Sequence, residues 1–270
     1  MADIGHTVRD AIVRHRLDAR KSLGQHFLLD LNLTARIAAM AGDLEGRHVV
    51  EVGPGPGGLT RALLDSRAAS IVAVEIDRRA IAAIEELRQA APGRLRIVEA
   101  DAMRCDLSAL CDSPRQIIAN LPYNVGTPLL VGWLRQAARW ERMTLMFQME
   151  VAERICAAPD TEAYGRLSVL AQWCCTASVL MRIPPGAFSP PPKVFSAVIG
   201  LVPRSQQPPA DLFGAMERLT AAAFGQRRKM LRGALRALGG DALLSRAGID
   251  SSRRAETLAV AEYDTLARLL

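Results

Sequence analysis

Asn120-Leu-Pro-Tyr123 is the stretch of this 270-residue chain that carries the most direct chemistry. The side-chain oxygen of Asn120 and the backbone carbonyl of Leu121 are two acceptors in adjacent residues. Pro122 biases Leu121 to an extended conformation, which sets the direction of that carbonyl. Two such acceptors can hold both protons of an exocyclic amine and draw its ring-delocalised lone pair onto nitrogen. Tyr123 adds a flat face on which a base can stack, worth ~1–3 kcal/mol. An amine held in this way becomes acidic only as it is alkylated, so no strong general base is needed. Catalysis is then chiefly positioning and charge placement. A bare strand end with a proline turn is the alternative reading of the same four residues.

A second constellation lies upstream. In Glu51-Val-Gly-Pro-Gly-Pro-Gly-Gly58, residues Gly53, Gly55 and Gly58 satisfy Gly-x-Gly-x-x-Gly. Glycines there let the backbone approach a ligand, and a following helix offers free N–H groups. Glu75, twenty residues after Gly55, can accept both hydroxyls of a ribose. Asp101 stands where a carboxylate accepts from an adenine amino group, or simply caps a helix. These acids and glycines suit a dinucleotide and S-adenosylmethionine equally, so a dehydrogenase competes on them alone. The tetrapeptide favours methyl transfer to adenine. A dehydrogenase also wants a substrate-domain histidine, and none of the four histidines follows the first strand.

The third feature is basic. No acid occurs between Glu217 and Asp241, an interval holding Arg227, Arg228, Lys229, Arg232 and Arg236. Arg228, Arg232 and Arg236 are spaced to share one helix face. That face reads as an RNA-backbone contact, or as a solvated surface.

The elements that must position these groups follow from periodicity. His48–Val52, Ser70–Glu75, Leu95–Glu99, Gln116–Asn120 and Met143–Gln148 read as strands. Helices are predicted at Leu59–Ser66, Arg78–Gln89 and from the tetrapeptide through about Leu134. Strand, crossover helix and strand in succession imply a parallel, helix-covered sheet. Ser168–Val179 is apolar, and Val194–Val202 reads as a late strand. Pro203–Pro209 has three prolines and reads as a linker. From about Asp211 the pattern is helical. The expected organisation is an α/β domain over 1–202 and a small all-helical domain over 203–270.

Composition sets the outer limits. Net charge is +6 and the pI about 9.4, which suits an acidic partner such as nucleic acid. No apolar run is long enough to span a bilayer. The N-terminal segment lacks the apolar core of a secretory signal and mixes acids with its arginines, so a cytoplasmic protein is expected. None of the five cysteines forms a Cys-x-x-Cys pair or sits near a histidine at ligand spacing. Neither a structural metal nor a disulfide is expected.

Taken together, the tetrapeptide, the glycine turn and four further stretches resemble the KsgA/RsmA family of ribosomal RNA adenine dimethyltransferases. Lys21–Leu28 is similar to that family's N-terminal signature, and Val49–Thr60 to its cofactor loop. Phe188-Ser-Pro-Pro-Pro-Lys-Val-Phe-Ser-Ala-Val198 is similar to its late signature. Ala223–Arg232 and Arg254–Leu258 resemble its helical domain. The resemblance implies a Rossmann-like methyltransferase domain with a small helical C-terminal domain, and S-adenosylmethionine as methyl donor; a monomer is expected. It implies transfer to two adjacent adenosines near the 3′ end of small-subunit ribosomal RNA during ribosome assembly, and the expected partner is that RNA within a pre-assembled small subunit. It places the cofactor at His26, Leu28, Gly53, Glu75, Asp101 and Asn120, and gives Phe188 a base-stacking role opposite Tyr123. His26 stands where the family often has Asn; an imidazole there is expected to donate to the cofactor's carboxylate end and to respond to pH. A related group that methylates large-subunit RNA shares the tetrapeptide, but the late Pro-Pro-Pro-Lys signature speaks for the small-subunit group. An RNA-binding assembly factor without activity is the non-enzymatic alternative, and intact Asn120–Tyr123 and Glu75 argue against it.

Overall fold

The computed structural model describes residues 7–17 and 25–270. In chain order, α1 (Val8–Arg14), β1 (Phe27–Leu28) and α2 (Leu31–Ala39) come first. Strands and helices then alternate through β2 (His48–Val52), α3 (Gly58–Leu64), β3 (Ser70–Glu75), α4 (Arg78–Ala90), β4 (Leu95–Glu99), β5 (Arg115–Asn120), α5 (Gly126–Leu134) and β6 (Arg142–Gln148). Next come α6 (Met149–Cys156), α7 (Arg166–Cys174), β7 (Cys175–Ile183), β8 (Phe188–Ser189) and β9 (Ser196–Pro203). The last helices are α8 (Leu212–Gly225), α9 (Leu231–Ala234), α10 (Gly240–Arg246) and α11 (Val260–Arg268).

The sheet order is β4-β3-β2-β5-β6-β9-β7. β2 to β6 pair in parallel, and β9 runs antiparallel to β6. The central strands are apolar along their whole length because both faces are covered: Val49, Val50, Ile71, Ile117 and Ile118 are wholly buried. Burying one such side chain stabilises the fold by roughly 1.5–3 kcal/mol. Asp30 and Asp77 cap α2 and α4 through their side chains.

Strand order reverses at β2, which lies between β3 and β5. Ligands in open α/β sheets bind beyond the carboxyl ends of the strands at such a switch point. The reversal makes the glycine turn after β2 and the tetrapeptide after β5 neighbours; Glu51 pairs in register with Ile118. An antiparallel β9 inside the sheet also departs from the all-parallel order of dinucleotide-binding domains.

Two compact units form. The first holds Met1–Gly132, Arg139–Ala152 and Ser178–Val202, and with them the sheet's switch point. The second holds Trp133–Ala138, Glu153–Ala177 and Pro203–Leu270. This differs from a single boundary at 202: segments 133–138 and 153–177 belong to the second unit. The physical reason is the apolar helix α7, which packs against α8 and α11. There the Trp173 indole donates to Asp264, and the buried Tyr164 hydroxyl donates to the Leu258 carbonyl.

Candidate active site

The glycine turn is built by backbone conformations that exclude other residues. Gly53 and Gly55 have φ of +67° and +54°, the left-handed region that side chains disfavour. Gly58 has a different reason: a Cβ there would lie 2.6 Å from the Leu28 carbonyl oxygen. The third glycine thus admits β1 close against the start of α3. The turn borders a cavity of about 310 Å³ whose lining includes His26, Leu28, Gly53, Glu75, Asp101 and Asn120. All six cofactor positions implied by the family resemblance therefore meet at one cavity, and Gly55 lines it too.

Glu75 is 7 % exposed. Its Oε1 accepts from the Ile76 and Asp77 amides at 2.8 and 2.9 Å, and its Oε2 from the Gly55 amide at 3.3 Å. Burial raises its pKa, and these three amides work the other way. The carboxylate is fixed in place by backbone, as a ribose acceptor must be. Asp101 does act as a turn cap, its Oδ1 accepting from the Met103 amide at 2.9 Å. Its Oδ2 lies 3.8 Å from Arg104 Nε, so cap and cavity wall coexist in one side chain.

The tetrapeptide follows β5 and turns at once into α5, its Pro122 carbonyl accepting from the Val125 and Gly126 amides. Asn120 Nδ2 donates to the His26 carbonyl at 3.1 Å. That commitment leaves Oδ1 as the free acceptor of the amide. The Leu121 side chain is buried, 2 % exposed, which anchors this residue of the turn. Burial raises the pKa of the Tyr123 phenol, a shift its hydrogen bond to Ser196 opposes.

Two of the expected site residues have contacts outside the cavity lining. Phe188 does not face the cofactor cavity. It is 5 % exposed, sits in the core cluster with Leu28 and Val198, and lines a separate cavity beside α1. β8 pairs with β1, Phe188 opposite Leu28, and this packing draws the ring inward. The ring packed on Tyr123 is that of His26, at 5.0 Å between centroids and 32° between planes; Phe188 meets His26 edge-on at 6.4 Å. The other residue is His26 itself. Its Nδ1 lies 2.8 Å from the Pro190 carbonyl, which can only accept, so Nδ1 carries the proton.

Sequence reasoning passed over Glu51. It lies in β2, is 1 % exposed and lines the cavity. Neither of its oxygens has a well-formed hydrogen-bond partner. Burial pushes its carboxyl up to about 8, with the nearby Thr60 hydroxyl lowering it and the Glu75 charge raising it further. A lone acid inside an apolar strand was the available signal.

The basic run lies in the second unit and does not form one helix. α8 ends at Gly225, Gln226–Lys229 make a turn, and α9 spans only Leu231–Ala234. Met230 is extended and bridges to Arg254, which ends the helical path. Arg228, Lys229, Arg232 and Arg236 are exposed, whereas Arg227 is half-buried and donates to the Thr161 carbonyl at 3.3 Å. Lys21 to Gly24 of the N-terminal signature lie outside the described residues.

The residues at this cavity suit S-adenosylmethionine. Glu51 is a buried acid without a firm partner, suited to a cationic ligand, and the amide-held Glu75 and the glycine turn complete the binding set. Among the described residues no group of three metal-ligating side chains comes together, and no helix is long and apolar enough to cross a membrane. Sheet order, switch-point cavity and tetrapeptide define a Rossmann-like, S-adenosylmethionine-dependent methyltransferase.

Comparison with known proteins narrows the class. The family model described as ribosomal RNA adenine dimethylase matches residues 16–270, and the chain belongs to that family. It is 64 % identical over 263 residues to the ribosomal RNA small subunit methyltransferase A of Gluconobacter oxydans, covering 97 % of this chain and 87 % of the relative. The protein of the same name from Paramagnetospirillum magneticum is 55 % identical over 271 residues, covering 100 % and 96 %. Among solved structures, the 23S rRNA methyltransferase ErmE has a TM-score of 0.67 at 25 % identity, covering 90 % of this chain and 99 % of that one. A dimethyladenosine transferase from Plasmodium falciparum shares the fold, with a TM-score of 0.76 at 23 % identity and coverage of 89 % and 96 %.

Proposed function

We infer that the protein transfers methyl groups to the N6 nitrogens of two adjacent adenosines near the 3′ end of small-subunit ribosomal RNA, giving N6,N6-dimethyladenosine during ribosome assembly. The 64 % identity to a small-subunit enzyme, against 25 % to a large-subunit one, supports this choice of substrate. We propose that it acts as a monomer in the cytoplasm, on a partly built subunit.

S-adenosylmethionine, when bound, supplies an electrophilic methyl group on sulfur. Glu75 holds the ribose hydroxyls, Glu51 faces the positive charge, and Asp101 takes the adenine end. Asn120 Oδ1 and the Leu121 carbonyl accept hydrogen bonds from the two N6–H groups of the target base. Tyr123 carries the base on its face, and Phe188 supports the His26 ring from its edge. Arg228, Lys229 and Arg232, with the half-buried Arg227, contact the RNA backbone.

One observation carries the catalytic assignment. The Asn120 amide nitrogen is occupied by the His26 carbonyl, so its oxygen is the atom left to accept. The test is incubation with labelled methyl donor and small subunits lacking the modification, followed by mapping of the product. Dimethyladenosine in small-subunit RNA is expected. Label confined to large-subunit RNA, or found in no RNA, overturns the reading.

A further inference from the structure

Ser196 lies in the late signature, far from the tetrapeptide in sequence, and has no role in the chemistry described so far. It opens β9, is wholly buried, and pairs in register with Gln148 of β6. Its hydroxyl is hydrogen-bonded to the Tyr123 hydroxyl at 2.5 Å. Stacking a base requires only the aromatic ring of Tyr123. A phenol oxygen brought into the protein costs free energy unless it is hydrogen-bonded. Its use is therefore as an anchor: it ties the turn after β5 to the antiparallel strand β9. The His26 ring packs on the Tyr123 ring in a tilted arrangement, and Ser196 holds its hydroxyl end.

This anchor bears unequally on the two methyl transfers. In each, the N6–carbon bond forms, the sulfur–carbon bond breaks with its electron pair left on sulfur, and one N6 proton is released to water. In the first transfer two N–H groups meet two acceptors, Asn120 Oδ1 and the Leu121 carbonyl. In the second, one N–H remains for the same two acceptors. Hydrogen bonding then holds the base less firmly, and the stack on Tyr123 carries more of the positioning.

We propose that Ser196 is a positioning residue that locks the Tyr123 ring and thereby sustains the second methylation of each adenosine. The proposal rests on the reading of Asn120–Tyr123 given above. The experiment is single-turnover methylation of small subunits, with monomethyl and dimethyl products resolved, for S196A, S196T, Y123F and the S196A/Y123F pair. S196A is expected to slow the second transfer roughly tenfold, in line with loss of a buried hydrogen bond, and to slow the first much less. Monomethyladenosine should accumulate while cofactor affinity stays near wild type. S196T keeps the hydroxyl and should restore the product ratio. Y123F should match S196A, and the pair should be no worse than either single variant, since both remove one bond. If S196A does not fold, Y123F and S196T carry the same test. A wild-type product ratio in Y123F, additive losses in the pair, or equal slowing of both transfers overturns the proposal. N120A separates the two levels: if it stays active, the site reading itself has failed; if it is inactive while Y123F and S196A behave as wild type, only the role of Ser196 has.

Discussion

The side-chain amide of Asn120 donates to the backbone carbonyl of His26 at 3.1 Å, across 94 residues of chain. One hydrogen bond thus joins the N-terminal signature to the turn after β5 and commits the nitrogen end of the Asn120 amide. The contact uses the backbone of residue 26, so it survives a change of side chain there.

Asn120→Ala is expected to lower the single-turnover rate by ~10²–10³-fold, the cost of a positioned transition-state contact. RNA affinity should change far less. Rapid-quench kinetics beside filter binding checks the split; a near-normal rate removes Asn120 from the chemistry.

For Glu75→Ala the expected effect is on the cofactor. Hydrogen bonds to charged groups are worth ~1.5–3 kcal/mol, so the dissociation constant for S-adenosylmethionine should rise about tenfold or more. Calorimetry on the folded variant makes the measurement, and unchanged affinity would refute the ribose assignment.

Glu51 predicts a pH dependence of stability. Its folded pKa, about 8, lies above the ordinary carboxylate value of ~4.3. The folded state therefore holds this proton more tightly than the unfolded chain. The associated stability is fully present below the ordinary value and declines as pH rises towards about 8. Glu51→Gln should remove this slope, and its melting temperature should exceed that of wild type by more at pH 8 than at pH 5. Parallel melting curves for the two proteins across that range would contradict the assignment.

In the second unit the clean variant replaces Arg228, Lys229 and Arg232 with Gln, because Arg227 is held by Thr161. RNA binding should weaken, and each lost phosphate contact should flatten the salt dependence by ~0.7–0.9 in log–log slope. Cofactor affinity should be unchanged. Coincident salt plots for variant and wild type would leave these residues as solvated surface.

Much of the fold was legible in local pattern. His48–Val52 and Ser70–Glu75 stand in the structure with the bounds read from sequence, because buried parallel strands are nearly continuous apolar runs flanked by turns; Leu95–Glu99 does so too, as a half-exposed edge strand. The glycine turn and the tetrapeptide were equally local, since their chemistry resides in adjacent residues. Strand β7 was not legible. It begins in the apolar stretch that ends α7, its burial is irregular, and it lies at the sheet edge, where no period of two is enforced.

What tertiary structure alone decided is which distant groups meet. The switch point at β2 sets Glu51 and the glycine turn beside β5, a neighbour relation fixed by strand order and invisible to spacing. The packing of β8 on β1 turned Phe188 into the core and left His26 against Tyr123, a choice made by strand pairing. The basic residues share a sequence spacing but no helix, because Met230 leaves the helical path to bridge Arg254. Residue types determined which chemistry is available; long-range pairing and burial determined which atoms perform it.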